Sequence, residues 1–373
     1  MNIELTLDEA LARASARLRQ KMEYSVRLLQ KAERLALAYD CRGGYYLAFS
    51  GGKDSQALLH IAQLAGVRYE GHMNLTSVDP PEVIRFLKQH YPEVELIKPK
   101  ASIYKIAVEK TLLPTQRVRW CCEEYKENAG AGKVTLIGIR HQESTRRAKR
   151  NEVEISSKKF SGTLEGFEQY REEKLSKPKK GRKAKGVNIT NATGERTVGC
   201  ISGKESILIS PIIHWTERDV WEFLNKVCQV PHCSLYDEGY RRIGCICCPM
   251  STYRQKLREM NRWPHVKCNW LKAIIAIRNG GGISRHSYRQ QPCGTVLEPT
   301  GSLSIRRQGG YIAEPNPQWW LGAFSDSSSS DGLTEEQEHE IAENIFEWWI
   351  SGKSYKKWYA EKFLQMKLEF KDK

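Results

Sequence analysis

The stretch Tyr45-Tyr46-Leu47-Ala48-Phe49-Ser50-Gly51-Gly52-Lys53-Asp54-Ser55 decides the fold. Its first five residues form a short apolar run, and after the glycine pair Leu58, Leu59, Ile61, Ala62 and Ala65 recur at helical spacing. The pattern reads as strand, tight turn, helix. Two adjacent glycines let the backbone turn sharply and aim its N–H groups at an anion, and the helix start adds partial positive charge. Ser50 and Ser55 offer hydroxyls, Lys53 offers a point charge, and Asp54 is placed to cap the helix or orient a metal. Gly51 and Gly52 are too closely spaced for a Walker loop, which also needs Lys followed by Ser or Thr.

The alternation continues outward from this stretch. Strand candidates occupy residues 69–78, 94–97, 134–139 and 207–213, with helical patterns between them. One helix opens on Pro80-Pro81 and runs to Tyr91, a second covers residues 103–110, and a third is capped at Thr216 and covers 220–227. Strands separated by helices predict an α/β fold, a parallel sheet with helices on both faces in the Rossmann-like manner.

Thr6 and Glu9 form a capping box that opens a long amphipathic helix reaching about residue 39. The expected organisation is an N-terminal helix over 1–40, a nucleotide-binding domain over 41–250, and an aromatic, basic and mostly helical region over 251–373 carrying Trp348, Trp349 and Trp358. Residues 150–200 read as a basic insertion: positions 174–185 hold seven Lys or Arg and no acid.

Of 373 residues, 59 are Lys or Arg and 44 are Asp or Glu, a net charge of +15. Such an excess favours an anionic partner, nucleotide or nucleic acid. The apolar share of 40% supports a real core and excludes collagen-like, mucin-like and wholly disordered chains. No apolar run approaches the roughly 18 residues of a spanning helix, so no membrane partner is expected. The acidic N-terminus has no signal-peptide core, and the chain is expected in the cytoplasm. In that reducing compartment, 11 cysteines point to metal or thiol chemistry rather than a disulfide framework. Cys245 and Cys248 have a spacing that aims two thiolates at one metal, and the adjacent Cys121 and Cys122 would complete a four-thiolate set, with Cys233 as the alternate ligand and Cys247 a further competitor. Spacing leaves zinc and a metal-free set of buried thiols open as well.

Five segments together resemble the PP-loop ATP pyrophosphatases and the phosphoadenosine phosphosulfate (PAPS) reductase family. They are Ser50-Gly51-Gly52-Lys53-Asp54-Ser55, Arg119-Trp120-Cys121-Cys122, Gly138-Ile139-Arg140-His141-Gln142-Glu143-Ser144 with Arg147, residues 211–224 with Trp215, Asp219 and Trp221, and Gly244-Cys245-Ile246-Cys247-Cys248-Pro249. The resemblance implies that the loop and Gly138 bind an adenine nucleotide, ATP or a sulfonucleotide (APS or PAPS). It further implies that Lys53, Asp54, Arg140, Glu143 and Arg147 act on it with Mg²⁺. The cysteines resemble the [4Fe-4S] site of the APS reductase branch. The reductases' Glu-Cys-Gly nucleophile is missing, and Gln291-Pro292-Cys293-Gly294 is the nearest counterpart.

That departure favours the sulfur-transfer relatives. The implied reaction is adenylation of a substrate oxygen, giving AMP and pyrophosphate overall, with sulfur from a cysteine desulfurase or another donor and nucleic acid as the expected acceptor. Sulfonucleotide reduction to sulfite is the alternative. A third reading, from another class, is a nucleic-acid-binding subunit with a nucleotide-sensing site, using basic and aromatic stretches such as 117–120, 174–185 and 285–289.

Overall fold

The computed structural model describes residues 3–127, 130–156, 160–176, 188–190, 196–198, 206–279, 334–354 and 357–362. The chain divides into two compact units, Met1–Pro99 with Cys122–Gly244, and Lys100–Cys121 with Cys245–Lys373.

The first unit begins with helices α1 (Leu7–Arg13) and α2 (Ala16–Tyr39). They are two helices rather than the one expected: Ala14 adopts an extended conformation and the Ser15 side chain accepts from the Leu18 N–H, starting a new helix. The strands are β1 (Tyr45–Ala48), β2 (Tyr69–Asn74), β3 (Glu95–Ile97), β4 (Val134–Leu136), β5 (Val153–Ile155), β6 (Ser161–Gly162), β7 (Asn188–Thr190), β8 (Arg196–Val198) and β9 (Ile207–Ile209). Seven of them form one sheet in the order β3-β2-β1-β4-β9-β5-β6, while β7 and β8 pair separately. The pairings from β3 through β9 are parallel, and β5 and β6 are antiparallel additions.

Helices α3 (Lys53–Leu64), α4 (Pro81–His90) and α8 (Glu217–Glu222) connect or follow these strands, and α7 (Leu164–Ser176) follows β6. The order reverses between β1 and β4: from β1 the chain steps outward to β2 and β3, then returns to β1's other side. Connections leaving β1 and β4 in opposite directions open a crevice at their carboxyl ends.

Four expected elements are shorter. The strand at 207–213 stops at Ile209 because Pro211 has no N–H for the ladder and the chain turns, Ile213 N donating to Ser210 O at 3.3 Å. The strands read at 134–139 and 69–78 end at Leu136 and Asn74. The helix capped at Thr216 is regular only to Glu222 and continues as a wider turn, Phe223–Cys228. Part of the stretch read as an insertion extends the sheet, since Val153 and Ile155 bury inward beside β9. Its basic positions from 177 to 185 lie outside the described residues.

In the second unit, α5 (Ile103–Glu109), α9 (Tyr253–Arg262), α10 (Pro264–Arg278) and α11 (Glu335–Ser351) pack around tryptophans. A short α6 (Trp120–Cys122) includes the chain position, after Cys121, at which the second unit gives way to the first. Trp270 sits between Tyr104 and Trp349, with ring centroids 5.0 and 4.8 Å away, and Trp349 donates its Nε1–H to the Pro114 carbonyl at 2.7 Å. Among the described residues no helix is long and apolar enough to cross a membrane.

One buried carboxylate ties α2 to α8. Asp219 is fully buried, accepts from Thr216 N and Oγ1 at 2.7 Å each, and pairs with Lys21 and Arg17 at 2.6 Å. Burial alone would raise its pKa, but the Lys21 and Thr216 hydrogen bonds outweigh it and hold the carboxyl below the usual range. The Asp219→Asn variant should lose about 1.5–3 kcal/mol at neutral pH, the range for hydrogen bonds to charged groups. A depressed pKa gives stability that is complete above the ordinary carboxyl value of 3.8 and is lost as pH falls through the folded value. Denaturant melts of both proteins should therefore differ fully at pH 7 and converge in acid.

Candidate functional site

After β1 the chain passes through Ser50 and turns at Gly51, whose φ of +71° belongs to the left-handed region. A Cβ there would lie 2.6 Å from Leu87 Cδ1 and 2.7 Å from Val83 Cγ1, so α4 closes over the turn. Gly52 caps α3, and a Cβ on it would meet only Tyr236 Oη at 3.4 Å and Ser50 Oγ at 3.6 Å. Ser55 Oγ donates to Gly52 O at 2.8 Å and lies 3.2 Å from both Ser50 N and Ser50 Oγ. On the facing side of the crevice, Gly138 approaches so closely that its Cβ would be 2.9 Å from the Asp54 carbonyl.

Charged groups lock these segments together. Arg140 is buried, gives its Nε–H to Asp54 Oδ1 at 2.6 Å, and gives its backbone N–H to Glu143 Oε1 at 2.9 Å. Glu143 pairs with Arg147 four residues on. Lys53 is also buried: its ammonium donates to the Arg241 carbonyl at 2.8 Å, lies 3.3 Å from Glu217 Oε1, and faces the rings of Tyr236 and Trp221 at 5.4 and 6.0 Å. The Tyr236 hydroxyl accepts the Lys53 backbone N–H at 2.8 Å, and burial pushes its pKa well up, so the phenol stays protonated. Between these segments lies a cavity of about 140 Å³. Ser50, Gly52, Asp54 and Ser55 line one side, Gly138, Glu143 and Arg147 another, and Tyr236, Arg242 and Ile243 the third. That volume suits a phosphate-sized anion and falls below the roughly 300–1,000 Å³ of a pocket enclosing a drug-sized ligand.

Residues 44–251 match the phosphoadenosine phosphosulfate reductase domain model. The chain belongs to that family. Over 238 residues it is 27% identical to an uncharacterized protein of Methanocaldococcus jannaschii, covering 61% of this chain and 46% of that one. Over 59 residues it is 41% identical to the adenosine 5'-phosphosulfate reductase of Oceanobacillus iheyensis, covering 16% of this chain and 24% of that one. The chain thus spans less than half the length of these curated relatives. Among solved structures, Candida glabrata FMN adenylyltransferase with FMN and an ATP analog aligns at 15% identity and a TM-score of 0.38, covering 64% of this chain and 70% of that chain. The PAPS reductase of Candida auris aligns at 15% identity and a TM-score of 0.33, covering 62% and 96%.

Within this family domain the structure brings Ser50, Gly52, Asp54, Ser55, Gly138, Glu143 and Arg147 onto one cavity. Gly51, Lys53 and Arg140 are not among the residues lining it. Tyr236 and Arg242 join the wall from Ser234–Tyr236 and the turn after it, a segment the sequence reading passed over before Gly244. The available signal was Tyr240-Arg241-Arg242, adjacent basic residues immediately before the cysteine motif.

The cysteines behave differently. Cys233 is fully buried in the first unit, and burial raises its thiol pKa. Cys247 is buried in the second with φ +59°, its N–H donating to Glu259 Oε2 at 2.7 Å, and burial likewise raises its pKa. Cys121, Cys122, Cys245 and Cys248 are half-buried. Among the described residues no group of three or more His, Cys, Asp or Glu is placed to hold a metal ion.

The two loop glycines should fail in different ways. Gly51→Ala meets both a left-handed φ and the α4 side chains, and should destabilise by about 2 kcal/mol or more. Gly52→Val should leave the melting temperature close to wild type while its side chain fills the cavity mouth, weakening ATP binding at least tenfold. Thermal melts and calorimetric titrations of both variants separate the two effects.

Proposed function

We propose that this PAPS reductase-family protein binds an adenine nucleotide with its phosphates in the loop cavity and activates a substrate oxygen by adenylation for sulfur transfer. The observation that carries this is the placement of the cavity: it lies at the carboxyl ends of β1 and β4, where the strand order reverses, and is lined by the loop hydroxyls and by Arg147 and Arg242. The substrate oxygen attacks the α phosphorus of ATP, the bond to the β-phosphate oxygen breaks, and pyrophosphate leaves. A sulfur nucleophile then displaces AMP from the adenylated carbon. The protein's part is positioning and neutralisation of charge, with the Ser50 and Ser55 hydroxyls rotating from Ser55 Oγ and the Gly52 carbonyl onto phosphate oxygens and the arginines facing them.

Asp54 and Glu143 put carboxylate oxygens on the cavity wall, the donor type Mg²⁺ takes, and the ion would supply charge neutralisation on the departing pyrophosphate. Lys53 and Arg140 hold the wall itself. A nucleic-acid acceptor is supported by the net charge of +15 and the seven basic residues at 174–185. A sulfur donor of the cysteine desulfurase kind would complete the reaction. Reduction of APS or PAPS to sulfite is the second reading, favoured by the 59-residue segment shared with the APS reductase of Oceanobacillus iheyensis; its thiol candidate, Cys293, lies outside the described residues.

Purified protein with ATP and Mg²⁺ should release pyrophosphate, and tRNA or duplex DNA should accelerate the release. Sulfite formed from APS or PAPS with a thiol donor, and no pyrophosphate from ATP, would put the reductase reading in its place. Cys121, Cys122, Cys245 and Cys248 form the ligand set for a [4Fe-4S] cluster in this proposal, and no step is routed through it. Anaerobically purified protein should then carry about four irons per chain, because one cubane needs all four thiolates. Stoichiometric zinc in a colourless protein would exclude the cluster.

A further inference from the structure

The formal charges around the cavity nearly cancel. Arg140 is held by Asp54 at 2.6 Å, Arg147 by Glu143, and Lys53 by Glu217 at 3.3 Å and the Arg241 carbonyl at 2.8 Å. The cations lining the cavity are Arg147 and Arg242, and Arg242 is the one without a carboxylate partner among the described residues. Its side chain is exposed, so its guanidinium is available to an incoming anion.

The segment leading into Arg242 is held at two points by the loop. Lys53 Nζ donates to the carbonyl of Arg241, the residue immediately before it, and the Lys53 backbone N–H donates to Tyr236 Oη. Both bonds come from the residue that opens α3, a helix buried almost throughout. The loop lysine thus faces the 236–241 segment rather than the cavity.

Resting on the nucleotide-site reading above, we propose that Arg242 is the anion anchor of the cavity and that Lys53 is a positioning residue acting through it. A guanidinium presents a planar fork of N–H donors that matches two oxygens of a tetrahedral oxyanion, phosphate or sulfate. A paired guanidinium such as Arg147 must share its donors with Glu143, so it gains less from the ligand. The favoured ligand class is therefore a phosphoanhydride, with one phosphoryl group against the loop hydroxyls and its neighbour on Arg242.

The test is a double-mutant cycle read by calorimetric titration with ATP, inorganic pyrophosphate and APS. Arg242→Ala should weaken pyrophosphate binding about 10- to 100-fold, the loss of one or two charged hydrogen bonds, with an unchanged melting temperature. Arg242→Lys should recover only part of this, because it keeps the charge and loses the fork. Lys53→Met should also weaken binding, yet adding it to Arg242→Ala should cost nothing further, since both act on one contact. Should Lys53→Met fail to fold, Lys53→Arg replaces it, and the Arg242 pair alone still decides the anchor. Wild-type affinity in Arg242→Ala, or fold-losses that multiply in the double variant, would overturn the proposal while leaving the nucleotide site in place. Wild-type protein that binds none of the three probes would remove the site reading and this inference together. Tighter binding of APS than of ATP and pyrophosphate, lost in Arg242→Ala, would keep the anchor and exchange the phosphoanhydride for a sulfonucleotide.

Discussion

The close approach of Gly138 to the first turn of α3 is the constraint on which the site depends. A methyl group at that position would sit 2.9 Å from the Asp54 carbonyl, closer than a side-chain carbon is tolerated against backbone. Because Gly138 has no side chain, the chain leaving β4 packs directly on the helix that follows β1. Arg140, two residues later, then reaches Asp54 across the crevice at 2.6 Å. The crevice of a parallel sheet at its reversal point is a property of topology. Its narrowness here, small enough to grip a phosphoryl group, is a property of one missing Cβ.

Electrostatics at the site follow from that packing. Burying Arg140 and Lys53 without acceptors would be prohibitive, and each has a carboxylate and a backbone or side-chain oxygen in reach. These pairs spend the charge of the motif residues on holding the wall. The consequence is a division of labour: Lys53 and Arg140 are engaged in holding the wall, and the cations lining the cavity are Arg147 and, from a segment distant in sequence, Arg242. Tyr236 reinforces the arrangement, since its protonated phenol takes the first N–H of α3 and fixes the segment against the loop.

Much of the fold was legible because the strands and helices of the sheet carry strong local signals. Tyr45–Ala48, the glycine turn and Lys53–Leu64 appear where apolar period and turn chemistry place them. Strand ends were less legible. Ile207–Ile209 stops short of Ile213 because a proline removes a donor, a local rule that the continuous apolar run masked. The break at Ser15 is another capping signal hidden inside an unbroken helical periodicity. For the site, Ser50, Asp54, Ser55, Gly138, Glu143 and Arg147 were readable as a group, since one motif on each side of the crevice supplies them. Tyr236 and Arg242 were not, because their role depends on a turn reaching back to α3 over more than 180 positions, a relation no periodicity encodes.

The global charge and the cavity charge therefore do different work. A net +15 produces a long-range potential that raises the local concentration of polyanions, and salt screens it over a Debye length of about 8 Å at physiological ionic strength. Inside the cavity, cations and carboxylates are matched pair by pair except at Arg242, whose exposed guanidinium carries the charge left over. Attraction of a polyanion to the surface and the hold of the cavity on a small anion thus rest on different charges. That separation follows from where the paired charges sit rather than from how many there are.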